Sequence, residues 1–242
     1  MEMLIGQSHV STLITSILLI LMTLVTYQLL SYLQQKLQII WLNPMLLSIV
    51  VIIPFLLHFN LSFEYYFQST HLLNDLLEPA VVALGFPLYQ HLSSIKHQWK
   101  ILGLLLALGV ILVIVISFIL TMVFIALPEI AVSLSLKSIT TPIGITLTQQ
   151  LNGDSSITAF AIILAGLFGA ILGPTWLNFI SVRSAKAQGL AIGAASHALG
   201  TATISKISYE HGAYGSLALI VSAVITALVS PYLISLLSAW FL

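Results

Sequence analysis

Eight apolar segments follow one another along the chain, and more polar stretches separate most of them. A helix needs about 20 apolar residues to cross the hydrocarbon core of a bilayer, and most of these segments approach that length. They cover residues 10–33, 43–59, 76–92, 101–127, 128–150, 156–180, 187–206 and 213–242. The pattern therefore predicts an all-α polytopic membrane protein, with residues 1–242 forming a single membrane domain.

Composition excludes a water-soluble surface and several kinds of site. Hydrophobic residues make up 59% of the chain and charged residues 6%, whereas soluble domains average about 25% charged residues. The net charge is zero, which leaves no electrostatic basis for binding nucleic acid. The chain contains no cysteine, so neither disulfides nor a thiolate metal site is expected. We predict no metal site and no cofactor.

The two ends of the chain are interpreted from their charges. No Lys or Arg precedes Lys36, and no small-residue cleavage site follows the first apolar segment, which is therefore interpreted as a retained membrane helix. The distribution of basic loop residues places both termini outside, whether the interrupted segments fold back or cross fully.

The spacing of the segments suggests an internal duplication. Residues 10–127 and 128–242 each contain four segments, and corresponding segments start about 112 residues apart, for example at 43 and 156 or at 76 and 187. In each of the two sets of four, the third segment is interrupted by Pro or Gly, which is typical of binding sites in transporters with inverted repeats. If the third segments fold back, each set crosses the membrane three times. The second set then has the opposite orientation in the membrane to the first.

Several residues predict breaks in the helices. Asn43 and Pro44 are suited to begin a helix, as an N-cap and as a first-turn proline. Further structural breaks are expected at Pro79, Gly85, Pro87 and Pro142.

The stretch GLAIGAASHALGTATISK begins at Gly189 and collects small and polar residues in an otherwise apolar chain. Irregular backbone inside a membrane persists only where protein buries it or water reaches it, so this stretch predicts a broken helix or hairpin that lines a cavity. The alternative is close helix packing, which small residues also favour. Packing accounts well for Gly189 and Gly193, and less well for Ser196, His197 and Thr201.

Three motifs resemble those of the LrgB/CidB family. They are LLEPAVVALGFPLY at 76–89, LKSITTPIGITL at 136–147 and GLAIGAASHALGTA at 189–202, and the resemblance runs from about Asn43 to the C-terminus. Positions that depart from the family pattern are Glu78, Leu136, Gly144 and Thr203, and the last of these often carries Arg in the family.

The resemblance implies two kinds of function. Bacterial members are antiholin-like proteins of the inner membrane, linked to murein hydrolase export and lysis, and they usually work beside a small LrgA/CidA-type membrane partner. Plant members resemble a plastidal glycolate/glycerate translocator, and bacterial members have been connected with pyruvate and other small carboxylates. The expected partners are thus a small carboxylate, the lipid bilayer, the small membrane protein and a second copy of the chain.

Lys137 is the first candidate for binding such a carboxylate. A charged residue at membrane depth costs about 3 kcal/mol, so it is a functional candidate by default. An ammonium beside hydroxyls, and beside N–H groups freed by a proline, would suit a carboxylate. The neighbours that would complete this set are Ser138, Thr140 and Thr141. The alternative is that Lys137 reaches a headgroup layer from a segment that begins lower.

The second candidate group is Ser196, His197, Gly200 and Thr201. His197 could hold the ligand or carry a coupled proton, because histidine titrates near neutral pH; the alternative is a purely structural hydrogen bond. Glu78, in the first interrupted segment, is the other coupling candidate, and could instead simply face the interface.

The sequence therefore predicts a transporter of small carboxylates, proton-coupled in one version. The alternative is an antiholin-like regulator or a component of a holin-like pore. No enzyme is expected, because Ser196 and His197 are adjacent and would point apart on a helix, and no paired membrane aspartates exist for a protease.

Overall fold

A computed structural model describes residues 2–37 and 42–241, together with their side chains except those of residues 2–12 and 78. The described residues form twelve helices and no strand, which confirms the all-α class. Five helical stretches in this part are long and apolar enough to cross a membrane: Leu13–Leu37, His71–Gln90, Leu92–Phe124, Ser155–Phe179 and Tyr209–Phe241. The second of them consists of three short helices in succession, and a bent helix pair elsewhere adds up to one more span. The chain divides into two compact units, residues 1–81 and 82–242.

The first unit holds helices α1 (Glu2–Leu37), α2 (Pro44–His58), α3 (Phe63–Ser69) and α4 (His71–Asp75). Helix α2 begins where the sequence predicts, because the Asn43 side chain accepts hydrogen bonds from the backbone N–H groups of Met45 and Leu46 at 2.9 and 3.3 Å. Helices α2 and α3 form the bent pair, at 115°. A 2.8 Å hydrogen bond between the Thr23 and Tyr66 hydroxyls joins α1 to α3.

Helix α5 (Leu77–Ala83) contains Pro79 and runs across the boundary between the units. The expected break near Gly85 is present, since α6 (Gly85–Gln90) starts there after Leu84, whereas Pro87 lies within the short α6. The remaining helices of the second unit are α7 (Leu92–Phe124), α8 (Pro128–Ser135), α9 (Thr141–Gln150), α10 (Ser155–Phe179), α11 (Ala185–Ser205) and α12 (Tyr209–Phe241). Of these, α7, α10 and α12 are both long and apolar enough to span a membrane.

Residues 128–150 form a hairpin, which we call the first hairpin. The predicted duplication into two sets of four segments implied a single membrane crossing here. A β-carbon on Gly153 would lie 2.8 Å from Thr148 Cγ2 in α9 and 2.9 Å from Val132 Cγ1 in α8, so the two legs lie side by side. The Thr158 hydroxyl at the start of α10 meets the Thr148 hydroxyl at 2.8 Å and donates to the Ser133 carbonyl at 3.3 Å.

The physical reason is the break at residues 136–140, after which α9 starts again with Pro142 in its first turn. At 1.5 Å per residue each leg is about 12–15 Å long, roughly half of the hydrocarbon core. The first hairpin therefore enters and leaves at the N-terminal end of α10.

Helix α11 also folds back, and residues 185–205 are called the second hairpin. The backbone leaves the helical region at Ser196 (φ −125°, ψ 17°) and His197 (φ 42°, ψ −143°). A β-carbon on Gly215 would lie 3.7 Å from the carbonyl oxygen of Gly189 and 3.5 Å from Ile204 Cγ2. In a straight helix residues 189 and 204 would be about 22 Å apart.

The two legs of the second hairpin run in opposite directions along α12. Gly189 and Gly193 of the first leg pack on the backbone of His211 and Gly215, so this leg is parallel to α12. Ser205 of the second leg packs on Gly212, while Thr201 reaches Gly215, so the second leg is antiparallel. The distribution of basic residues is compatible with either a fold-back or a full crossing of this segment, and the structure has the fold-back.

The division into repeats 10–127 and 128–242 stays a prediction. Within the second unit, α6 and the end of α11 do meet at Gly212, whose β-carbon would lie 3.4 Å from Pro87 Cβ and 2.8 Å from Ser205 Oγ. This contact is at the N-terminal end of α12.

Candidate functional site

A cavity of about 400 Å³ lies inside the second unit. One wall is α7, from Leu105 to Ile114; a second is the tip of the first hairpin, with Ser135 and Ser138; a third is the first leg of α11; and Thr226 of α12 completes it. Most of the lining is aliphatic, and its hydroxyls come from Ser135, Ser138 and Thr226.

The tips of both hairpins reach the middle of α10 from opposite ends. From the first hairpin, Gly144 is so close to Ile162 that a β-carbon would lie 2.5 Å from Ile162 Cδ1. From the second hairpin, His197 Nε2 donates to the carbonyl of the same Ile162 at 2.8 Å. The cavity therefore lies beside two helix breaks that converge from opposite directions.

Lys137 lies at the break of the first hairpin, between the cavity-lining residues Leu136 and Ser138, but its side chain turns away from the cavity. Its half-buried ammonium donates to Ser117 Oγ on α7 and to the Leu134 carbonyl at 3.4 Å. No described carboxylate pairs with it. Ser117 is one turn beyond the lining residue Ile114, so the ammonium sits near one end of the cavity.

The N-terminus of α9 follows directly. Thr140 is its N-cap residue, in an extended conformation (φ −69°, ψ 144°), and its side chain makes no capping hydrogen bond. The backbone N–H groups of the first turn, including that of Thr141, thus have no side-chain cap. Pro142 has no backbone N–H of its own. The free N–H groups and the helix dipole favour an anion at this end.

At the tip of the second hairpin, the His197 side chain is buried and forms a hydrogen bond to α10. Besides the Ile162 contact, its carbonyl accepts from the Thr201 hydroxyl at 2.8 Å. Ser196 and Gly200 are buried against each other across the bend, and a β-carbon on Gly200 would lie 2.8 Å from Ile192 Cγ2. Among the described side chains, no hydrogen bond joins the His197 ring to the Ser196 hydroxyl.

The glycines around this tip allow close helix approach. A β-carbon on Gly166 would lie 2.6 Å from His197 Nε2, one on Gly169 would overlap the Ser196 side chain, and one on Gly173 would lie 3.2 Å from Ile192. The small residues therefore have both of the expected roles. The glycines allow close packing of the second hairpin on its neighbours, while alanines on another face of its first leg line the cavity.

The base of the second hairpin is fixed by a polar cluster. The buried Gln188 amide donates to Asn178 Oδ1 and to the Val182 carbonyl, both at 2.7 Å, and its oxygen meets His211 Nε2 at 3.2 Å. Ser208 bonds the other ring nitrogen of His211 at 2.7 Å. These bonds join the ends of α10, α11 and α12.

Of the predicted ligand residues, only Ser138 is among the residues that line the cavity. The others do not belong to its lining: Lys137, Thr140, Thr141, Ser196, His197, Gly200 and Thr201. The Glu78 side chain lies outside the described side chains. Sequence reasoning missed Ser135, Thr226 and the alanines of α11 that face the cavity. Those alanines recur at helical spacing, at 187, 191, 194 and 195, and this signal was available.

Metal binding has no evident set of ligands in the described part of the chain, where no group of three or more His, Asp or Glu side chains could hold an ion. The hydroxyls and the ammonium around the cavity are instead suited to hydrogen bonding with a small polar or anionic ligand.

Comparison with known proteins gives one family. The model of the LrgB-like family matches residues 23–236. The chain is 36% identical to the holin-like protein CidB of Staphylococcus aureus (strain N315) over 92% of this chain and 97% of that protein. The corresponding protein of Staphylococcus epidermidis (strain ATCC 12228) is 37% identical over 91% and 96%.

An uncharacterized protein of Bacillus subtilis (strain 168), YxaC, is 36% identical over 86% of this chain and 88% of its own length. No solved structure gives a significant match. Together with the helices long enough to span a bilayer, these matches make the chain a multi-pass membrane protein that belongs to the LrgB-like family.

Proposed function

We propose that this protein transports small carboxylates across the bacterial inner membrane, with the cavity of the second unit as the ligand site. The observation that carries the proposal is the convergence of two helix breaks, from opposite ends of α10, beside this cavity. Broken helices at membrane depth are typical of transporter binding sites, and a pore formed by self-assembly of simple helices has no need of them.

An anion fits because Lys137 is a half-buried cation without a described acidic partner. Removing an ammonium from water is costly unless an opposite charge compensates it. A carboxylate could replace Ser117 as the partner of the ammonium, with additional bonds to the Ser138 hydroxyl and to the uncapped N–H groups of α9. The aliphatic lining would then hold the carbon skeleton of the ligand.

A second candidate function is control of lysis, as an antiholin-like regulator or part of a holin-like pore. It comes from the relatives that are named holin-like protein CidB. A small LrgA/CidA-type membrane partner, or a second copy of this chain, would belong to that function. Transport and regulation are compatible, because a carrier can act within a larger complex.

Uptake into proteoliposomes tests the proposal and separates carrier from pore. We expect uptake of glycolate, glycerate or pyruvate to saturate with concentration and to be reduced by excess of another small carboxylate, because one cavity binds one ligand at a time. The control is an enclosed neutral dye of larger size, which a carrier retains. Release of the dye together with non-saturating carboxylate flux would contradict the carrier and favour the pore.

Replacement of His197 by glutamine tests proton coupling. A carboxylate that enters against an inside-negative potential meets about 2.3 kcal/mol per charge per 100 mV, which a co-transported proton would cancel. The glutamine amide could still donate to the Ile162 carbonyl but could not titrate. We expect wild-type uptake to rise as pH falls from about 8 to 5, and His197→Gln to flatten this dependence. A parallel pH profile in both proteins would leave His197 with its structural bond.

A further inference from the structure

Helix α12 carries three hydroxyls on one face, four residues apart: Ser222, Thr226 and Ser230. All three are buried, with exposed fractions of 2%, 5% and 0%. The hydroxyls of Ser222 and Ser230 have no hydrogen-bond partner among the described residues, and Thr226, between them, lines the cavity.

Many other buried hydroxyls in the helices of this unit have a partner. Thr121, Ser133 and Thr201 donate to the carbonyl four residues earlier at 2.7–2.8 Å, and Ser216 on α12 itself donates to the Leu84 carbonyl at 2.6 Å. An unpaired buried hydroxyl costs about 1–3 kcal/mol, so a native helix normally forms that bond or binds water instead.

Pro231 adds a fourth polar group at the same place. Proline has no backbone N–H, so the carbonyl of Ala227 loses the donor that it would have in a regular helix. This carbonyl lies between Thr226 and Ser230 along the chain. Two hydroxyls and one carbonyl thus lie within about one turn of α12, and one of them opens into the cavity.

We infer that ordered water binds on α12 between Thr226 and Ser230 and extends the cavity as a hydrated pocket. Water can donate to the Ala227 carbonyl while exchanging hydrogen bonds with both hydroxyls, and two to four polar partners are what a buried water needs. A cation fits less well, because no carboxylate lines the cavity and the Lys137 ammonium lies beside it.

The pocket ends one turn beyond Ser230. Ile234 is buried there with Phe118 and Leu136 in an apolar cluster that offers no hydrogen-bonding side chain. The hydrated pocket deepens the proposed function and rests on it for its role, since it gives the polar end of a transported ligand a solvated position below Thr226. Its existence can be tested without transport.

The absence of native cysteine allows a direct test with single-cysteine variants in the full-length protein. Thiols react as thiolates, and an apolar environment suppresses ionisation. We expect the thiol of Ser230→Cys to react with methyl methanethiosulfonate at least about ten-fold faster than that of Ile234→Cys, which is equally buried but lies in the apolar cluster. Equal rates in two folded variants would overturn the inference.

Ser230→Ala gives a second measurement that does not depend on labelling. If the hydroxyl is dry and unpaired, its removal raises the melting temperature; if it binds water, the melting temperature falls or stays the same. We expect no rise, and a rise would overturn the inference. Because neither measurement requires a substrate, fast labelling in a protein that fails to transport would reject the proposed function and leave the hydrated pocket in place.

Discussion

Lys137→Ala is expected to abolish saturable carboxylate uptake while the protein still folds and inserts. The ammonium is a positive charge close to the cavity, held by Ser117 and the Leu134 carbonyl, and without it a carboxylate would lose this charged partner in a largely aliphatic site. Charge-assisted hydrogen bonds are roughly twice as strong as neutral ones, so the loss falls mainly on ligand affinity. The measurement is initial uptake by purified protein in liposomes.

The matched control for this prediction is Lys100→Ala. Lys100 lies on α7, outside the cavity lining, with its ammonium 5.9 Å from the Trp99 ring centre, so its removal changes the charge of the protein equally without touching the site. Uptake by Lys137→Ala at the wild-type level would mean that Lys137 anchors the first hairpin to α7 and takes no part in binding. Equal loss in both variants would point to a general effect of charge.

Gly193→Ala is expected to destabilise the second hairpin by about 1–3 kcal/mol or more, the usual cost of overpacking. A β-carbon on Gly193 would overlap the carbonyl oxygen of Gly215 and lie 2.8 Å from Gly215 Cα. The obstacle is the backbone of α12, which cannot rotate away as a side chain could. The melting temperature of the detergent-solubilised protein and its retention as a single species by size exclusion measure the effect.

Gly103→Ala provides the comparison. Gly103 also lies in a helix, α7, but a β-carbon there would meet nothing within 4 Å. Alanine in that position should be neutral or stabilising by up to about 1 kcal/mol, because it restricts the unfolded chain. Equal melting temperatures for the two variants would contradict the close approach of the second hairpin to α12. They would then also contradict the convergence of the two hairpins beside the cavity.

The sequence determined those features that depend on composition and on neighbouring residues. The length of the apolar segments and the scarcity of charged residues specify a membrane protein made of helices. In lipid the backbone N–H and C=O groups must be hydrogen-bonded within the protein, and a helix achieves this within one segment. Asn43 and Pro44 begin α2 as predicted, because capping needs only residues two or three positions away. The motifs at 76–89, 136–147 and 189–202 indicated the family.

The tertiary structure decided which breaks fold back and what each polar side chain contacts. Pro142 marks a break in the first hairpin, yet the return of its second leg depends on Thr158, which binds both legs from the next helix. The partners of Lys137 and His197 are Ser117 and Ile162, 20 and 35 residues away. Such contacts form only when distant helices pack, so no local sequence pattern encodes them. Because of these contacts, the Lys137 and His197 side chains do not line the cavity, whereas Ser138 does.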